Sequence, residues 1–323
     1  MSEVSVTPAP LKTAVLFLVF NRPDTTKQVF EAIRQAKPPR LYVAADGARP
    51  SREGEAARVA QVRQIATAVD WPCEVKTLFR EKNLGCKMAV SGGIDWFFQN
   101  EEQGIILEDD CLPNNDFFRF CEEMLDRYRH DLGIGMVGGF NPLGPGLVSN
   151  EYFASRNSSI WGWATWQDRW AHYDVDMADW HNPATKKQIR ESLSFKTYLY
   201  YRRCFDLTTK KSLNTWDYQW SFCLIHQKYK TIKPLANLIK NIGTEGAHAV
   251  AEDINHNVAH GGLTSAPLIR NDSVGYMQDE WFFKTRIPSA PKMLALDLLQ
   301  TTGLYGYARA CYRSAKSVKS RFA

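Results

Sequence analysis

Two kinds of segment alternate through the first 130 residues of the chain. Short apolar runs rich in β-branched and aromatic residues are separated by longer segments whose apolar residues recur at helical spacing. We predict strands over residues 14–20, 41–45, 74–79 and 104–107. This rhythm predicts an α/β fold of the Rossmann-like kind, with a mostly parallel sheet flanked by helices.

Helices are predicted in the intervening segments. The first is expected to be capped by Asp24, and the one after the fourth strand by Asn115 or Asp116. The others are expected over residues 53–69, 85–99, 184–193, 196–210 and 217–229.

The charge distribution and the cysteines indicate which partners and which cellular compartment to expect. The formal net charge of +5 is concentrated after residue 290, where six basic residues meet one acid, so a nucleic-acid surface is not indicated. Seven scattered cysteines without a C-x-x-C pair, and no signal-like start, predict a cytoplasmic protein. The basic tail also carries apolar residues and is expected to touch the inner-membrane surface peripherally, although a solvated helix would look the same.

Three adjacent acids, Glu108, Asp109 and Asp110, follow the fourth predicted strand. Neighbouring carboxylates repel one another and need cations or hydrogen-bond donors. Their oxygens suit Mg²⁺ or Mn²⁺, which usually bind through one or two carboxylates together with substrate phosphates. The cluster is therefore predicted to hold such an ion.

Polar residues also follow the first two strands, and parallel sheets bind ligands beyond the carboxyl ends of their strands. Phe20, Asn21 and Arg22 end the first strand, and Asp46 ends the second. Asp46-Gly47 alone could be an ordinary turn. Together with the acids, these residues favour a nucleotide site.

A charged loop opens the third predicted helix. Helix N-termini attract phosphate groups, which makes this loop a candidate for binding the nucleotide, although a solvated loop competes with that interpretation. Its candidate residues are Lys82, Asn83, Gly85 and Lys87.

The second half of the chain offers three further candidates. Trp161, Gly162 and Trp163 could stack on a sugar, whereas Trp166 and Trp170 are expected in the core. Asp217 could be a general base or a helix cap. His248, in a glycine-punctuated loop, could bind metal or phosphate. The sequence 133–138 matches G-x-G-x-x-G, but no helix is predicted after it, which argues against a dinucleotide site.

The order of these motifs over residues 14–250 resembles GT-A glycosyltransferases of the family 2 type. The E-D-D triplet, the W-G-W segment, the W-D pair and the loop with His248 are similar to those of the N-acetylglucosaminyltransferase I enzymes. The resemblance implies roles for several of these residues. Asp110 would be the metal ligand, and His248 would contact the metal or the donor phosphate. Glu108 and Asp109 would contact the ribose or the sugar, Asn21, Arg22 and Asp46 would bind the nucleotide, and Asp217 would be the catalytic base.

The resemblance implies a metal-dependent transferase that moves a hexosyl or N-acetylhexosaminyl group from a UDP-sugar to an acceptor hydroxyl. The acceptor half differs from that family, so the acceptor does not carry over, and a glycan or lipid-linked glycan is expected from the biosynthetic setting. Inversion is expected and retention stays open. Bacterial surface-glycan assembly, such as that of lipopolysaccharide, is the expected setting. A sugar nucleotidyltransferase and an inactive carbohydrate-binding protein are the alternatives.

The expected organisation has three parts. Residues 1–12 form a polar tail. Residues 13–265 form the GT-A domain, with a nucleotide-binding half over 13–140 and an acceptor half over 141–265. Residues 266–323 form an extension with a basic helix.

Overall fold

The computed structural model describes residues 11–243, 258–285 and 287–301. Its main feature is a nine-stranded sheet in the order β11-β7-β9-β6-β8-β4-β1-β2-β3, accompanied by a two-stranded sheet of β10 and β5. The strands are β1 (Val15–Val19), β2 (Arg40–Ala45), β3 (Glu74–Phe79), β4 (Gln103–Glu108), β5 (Cys111–Pro113), β6 (Ile134–Gly138), β7 (Glu151–Ser155), β8 (Trp163–Trp166), β9 (Lys230–Pro234), β10 (Ile239–Asn241) and β11 (Ile269–Arg270).

In the described part of the chain, ten α-helices accompany these strands. They are α1 (Pro23–Ala36), α2 (Glu55–Ala66), α3 (Gly85–Phe98), α4 (Asn115–Tyr128), α5 (Gln167–Trp170), α6 (Pro183–Ser192), α7 (Phe195–Thr209), α8 (Asp217–His226), α9 (Asp272–Thr285) and α10 (Ala290–Thr301). A short 3-10 helix spans Ala178–His181. The predicted α/β class with a mostly parallel sheet is therefore confirmed.

Five of the eight neighbouring strand pairs in the large sheet are parallel. The main exception is β8, which lies antiparallel between β4 and β6. The sequence did not predict this strand, because its first residue, Trp163, ends a W-G-W segment that is interpreted as a ligand-binding loop.

Strand β1 lies between β4 and β2, and both of its faces are covered. Its five residues are all buried, and their side chains alternate between two apolar clusters. Phe17 belongs to the cluster that contains Phe117, whereas Leu16 and Leu18 belong to the one that contains Trp163 and Trp220. Burying each such side chain contributes about 1.5–3 kcal/mol, which makes this strand a rigid support for whatever follows it.

Two helix starts differ from the predicted caps. Arg22 occupies the N-cap of α1 and Pro23 the first turn, so Asp24 lies inside the helix. Asn114 caps α4 by accepting a hydrogen bond from the Phe117 N–H at 3.0 Å, where the prediction had Asn115 or Asp116. Both shifts are by one or two residues, a common uncertainty at helix ends.

The described residues divide into two compact units. The larger contains residues 11–177, 214–243 and 258–279, including the whole nine-stranded sheet. The smaller contains residues 178–213, 280–285 and 287–301, with Leu199, Ile287 and Met293 in a core of its own. The three-part organisation expected from the sequence stays a prediction. Among the described residues, no helix is long and apolar enough to cross a bilayer.

Candidate functional site at the carboxyl edge of the sheet

Strand register brings the predicted site residues to one edge. Leu18 of β1 pairs with Glu108 of β4, and Val19 pairs with Ala45 of β2. The residues that follow, from Phe20 to Arg22, Asp46, and from Asp109 to Asp110, therefore emerge at the same level. We call this the carboxyl edge, and Glu108, Asp109 and Asp110 the acid cluster.

Asp109 ties the ends of β1 and β4 together. Its carboxylate is nearly fully buried, accepts the Phe20 N–H at 3.1 Å and forms an ion pair with Arg22 at 2.8 Å. The second guanidinium nitrogen of Arg22 reaches Asp110 at 2.5 Å. One arginine therefore bridges two of the three acids.

The single positive charge of Arg22 does not balance the negative charge of the acid cluster. Burial, with the charges of Asp110 and Asp109, raises the pKa of Glu108 to about 8. Burial also raises the pKa of Asp109 to about 6, against the opposing charge of Arg22. Burial alone would lower the pKa of Arg22, but the two aspartates raise it overall. A further cation or hydrogen-bond donor at this edge would stabilise the charged acids.

Asp46 is fully engaged by its own chain. Its carboxylate accepts the N–H groups of Leu84 at 2.9 Å and Gly85 at 3.0 Å, together with the side-chain amide of Asn83 at 2.9 Å. The start of helix α3 is thereby fastened to the end of β2. Asp46 thus shapes the predicted nucleotide loop, and its lone pairs are largely used.

Gly47 and Gly85 are both required locally. A Cβ on Gly47 would lie 2.5 Å from the backbone carbon of Lys82, and Gly85 has a φ of +77°. Of the two predicted lysines, Lys82 is exposed, and Lys87 is half-buried and 3.6 Å from Asp176.

Asn21 points to a partner that the sequence did not reveal. Its side-chain amide donates to Glu55 at 2.8 Å, and Glu55 also accepts the Arg49 N–H at 2.7 Å. Arg49 in turn lies over the Phe20 ring, 5.4 Å from its centroid. Glu55 lay inside a predicted surface helix, and no local pattern marked it as the hub of this contact network.

Asp217 is the first residue of α8 and accepts a hydrogen bond from the Thr215 hydroxyl. It does not cap the helix through its side chain. Its charge helps to raise the pKa of both Glu108 and Cys86. The structure therefore brings Asp217 into the electrostatic surroundings of the acid cluster, from a position more than 100 residues away.

Only the last residue of the W-G-W segment, Trp163, belongs to the sheet, as the first residue of β8. Trp163 is fully buried and stacks on Trp216 with ring centroids 5.7 Å apart, so its indole has no free face for the sugar stacking that we expected. Trp161 is partly exposed and packs edge-on against Phe140. At Gly162, φ is +62° and a Cβ would lie 2.3 Å from Ile239, so packing already requires glycine there. Trp166 and Trp170 are buried, as expected.

Gly243 crosses directly against the acid cluster. A Cβ at this position would lie 2.5 Å from the Oδ2 atom of Asp110 and 3.0 Å from the Nη1 atom of Arg22. The sequence pattern does not predict this glycine as a site residue. His248, the predicted second metal or phosphate contact, lies outside the described residues.

A divalent cation fits this edge only with help from a ligand. Among the described residues, no group of three or more His, Cys, Asp and Glu side chains is arranged to hold a metal ion. Arg22 already takes one oxygen each from Asp109 and Asp110. Mg²⁺ and Mn²⁺ sites of one or two carboxylates are usually completed by substrate phosphates. The donor set therefore fits an ion shared with a diphosphate.

No protein-family model and no curated protein sequence matches the chain. Among solved structures, the crystal structure of HddC from Yersinia pseudotuberculosis is similar in part. The two chains are 8% identical with a TM-score of 0.30, and the match covers 48% of this chain and 77% of that chain. That TM-score is too low to carry a functional inference.

Proposed function

We propose that the protein is a glycosyltransferase that transfers a sugar from a UDP-sugar to an acceptor hydroxyl. The observation that carries the proposal is the acid cluster with its bridging arginine at the carboxyl edge, electrostatically coupled to Asp217. Ligands of α/β sheets bind at this edge. Buried, mutually repelling carboxylates with raised pKa values are typical of functional sites.

On the donor side, Arg22 and Asp110 are proposed to face the diphosphate, and Glu108 and Asp109 the ribose or the sugar. The loop that Asp46 fastens would contact the uridine, through Asn83, Gly85 and the exposed Lys82. The Asn21–Glu55–Arg49 contacts hold Arg49 over the Phe20 ring at the end of β1. In this proposal Asp46 and Asn21 act by positioning the binding loops.

For the transfer itself, Asp217 is proposed to accept the proton of the acceptor hydroxyl. The hydroxyl oxygen then bonds to the anomeric carbon, and the bond from that carbon to the diphosphate oxygen breaks with its electron pair going to UDP. Attack from the opposite face inverts the anomeric centre. A general base typically contributes 10²–10⁴-fold in rate.

Asp110 is the residue proposed to hold Mg²⁺ or Mn²⁺ together with the donor. When bound, such an ion neutralises the negative charge of the leaving diphosphate. His248 is proposed as a further contact from its loop. We further propose a glycan or lipid-linked glycan acceptor, in bacterial surface-glycan assembly at the cytoplasmic membrane face.

Nucleotide-dependent thermal unfolding tests the proposal. UDP with Mn²⁺ should raise the melting temperature of the wild type more than GDP, CMP or either component alone. Asp110→Ala should abolish that rise, whereas Asp24→Asn, a change of an exposed acid in the first turn of α1, should keep it. Equal stabilisation in Asp110→Ala would contradict the metal assignment.

A product assay separates the three classes of protein. A glycosyltransferase releases UDP from a UDP-sugar, slowly to water and faster to an acceptor. A nucleotidyltransferase would instead form a sugar phosphate when given pyrophosphate. A binding protein would turn over neither substrate and would be stabilised by free glycans alone. Either of the last two results would overturn the proposal.

A further inference from the structure

Arg22 occupies the acid cluster in the manner of a bound cation. Its two terminal nitrogens lie 2.8 Å from Asp109 and 2.5 Å from Asp110, each on a different carboxylate. The guanidinium cannot release its proton at any ordinary pH, so the charge is permanent. Gly243 passes against the same pair of side chains. The arginine thus supplies in advance part of the charge that a metal ion would supply.

A metal ion that binds alone must compete with this arginine. To use both aspartates it has to displace the guanidinium, whose side chain is only 30% exposed. An uncompensated charge in partly buried surroundings is costly. A diphosphate removes that cost, because phosphate oxygens accept the two parallel hydrogen bonds of an arginine.

We propose that Arg22 makes metal binding depend on the donor: it holds Asp109 and Asp110 in the free protein, and transfers to the diphosphate when the metal–nucleotide complex binds. This inference rests on the proposed function, since it takes the ligand to be a nucleoside diphosphate with a divalent cation. Arg22 is then a positioning residue for the donor, and metal and nucleotide bind as a unit.

Binding thermodynamics tests this directly, without turnover. Mn²⁺ affinity is measured by calorimetry and by the electron paramagnetic resonance signal of free Mn²⁺, with and without UDP. In the wild type, UDP should tighten Mn²⁺ binding by about tenfold or more. In Arg22→Gln, Mn²⁺ alone should bind about tenfold tighter than to the wild type, and the effect of UDP should fall to about threefold or less.

Two further variants sharpen the result. Arg22→Lys keeps the charge but offers one ammonium instead of a fork, so its metal-alone affinity should lie between those of the wild type and Arg22→Gln. Arg40→Gln removes a comparable arginine, paired with Glu101 at 2.6 Å at the start of β2, and should leave Mn²⁺ binding unchanged. Mn²⁺ alone should also raise the melting temperature of Arg22→Gln but not of the wild type.

The outcomes are distinguishable. Unchanged or weaker binding of Mn²⁺ alone to folded Arg22→Gln overturns the inference, even if the wild type binds Mn²⁺ with UDP. If Arg22→Gln does not fold, metal-alone affinity in Arg22→Lys no tighter than that of the wild type overturns it equally. Failure of the wild type to bind Mn²⁺ with any nucleotide overturns the proposed function.

Discussion

The carboxylate of Asp46 accepts the backbone N–H of Leu84 at 2.9 Å, which joins the end of β2 to the start of α3. The contact spans 38 residues and satisfies an N–H group that the first turn of a helix otherwise leaves unpaired. A side chain from a neighbouring strand thus does the work of a helix cap, and it fixes the loop that faces the carboxyl edge.

Removing this carboxylate should loosen the loop. We expect Asp46→Ala to lower the free energy of unfolding by about 1–2 kcal/mol, because several N–H groups lose their acceptor. Amide hydrogen exchange at residues 83–86 should accelerate more than elsewhere. Asp70→Ala, which removes an exposed acid paired with Arg34, is the control and should change stability little. Unchanged exchange in this loop would contradict the capping role.

Asp217→Asn tests the proposed base separately from binding. The amide keeps the shape of the side chain but cannot take a proton, so kcat for sugar transfer should fall 10²–10⁴-fold. The Kd for UDP with Mn²⁺ should stay within about threefold of the wild-type value. As the control, Asp176→Asn neutralises an exposed acid near Lys87 and should retain full activity. Loss of binding with unchanged kcat would place Asp217 in donor recognition instead.

The free energy of unfolding at low pH should depend on the ionisation of Glu55. Hydrogen bonds from Arg49 lower its pKa to about 2, so its stabilising contribution is complete above the unfolded value of about 4.3 and is lost as pH falls towards 2. We expect Glu55→Gln to weaken the dependence of the free energy of unfolding on pH in this range, as measured by urea unfolding. At pH 6 the variant should lose about 1–2 kcal/mol of that free energy, a modest amount because Arg49 is solvent-exposed. Glu31→Gln, in an exposed surface pair with Arg34, should change the slope far less, because solvent screens that pair.

Lys233 of β9 is expected to destabilise the fold at neutral pH. It is only 4% exposed, and burial lowers its pKa to about 8, against the opposing charge of Asp279. Below pH 8 both folded and unfolded states are protonated, so the full cost is present. As pH rises from 8 towards 10.4, the folded state loses its proton first and stability increases.

Lys233→Met should therefore raise the free energy of unfolding by about 1–3 kcal/mol at pH 7, and its advantage should shrink above pH 8. Urea unfolding at pH 7, 8 and 9.5 measures both effects. Lys230→Met, on the exposed start of the same strand, is the matched control and should show neither. A destabilised Lys233→Met would indicate that the ammonium makes a favourable contact instead.

Local pattern predicted the first half of the chain well. The four early strands, the helices between them and the convergence of Asn21, Asp46 and Glu108 follow from apolar periodicity and from the rule that parallel strands end at one edge. Burial of a strand on both faces leaves a continuous apolar run, which is easily recognised.

Features that depend on distant partners were not predictable in this way. The Trp163 ring packs against Trp216, which precedes α8, and Trp220 within it, both more than 50 positions later, so its own neighbours could not distinguish a core indole from a sugar platform. The engagement of Asp46 by Leu84 and of Asn21 by Glu55 likewise depends on tertiary approach. Residue type marks these side chains as candidates, whereas only the tertiary fold brings their partners to them.

The position of β8 between β4 and β6 also affects how the sheet forms during synthesis of the chain. Because β8 is the strand that fills the space between β4 and β6, β4 keeps one bare hydrogen-bonding edge until Trp166 has left the ribosome. Unpaired edges invite pairing with other chains. Strand β4, which ends in Glu108, therefore gains its second neighbour later than β1 and β2 do, and a truncated product ending near residue 140 would be prone to aggregate.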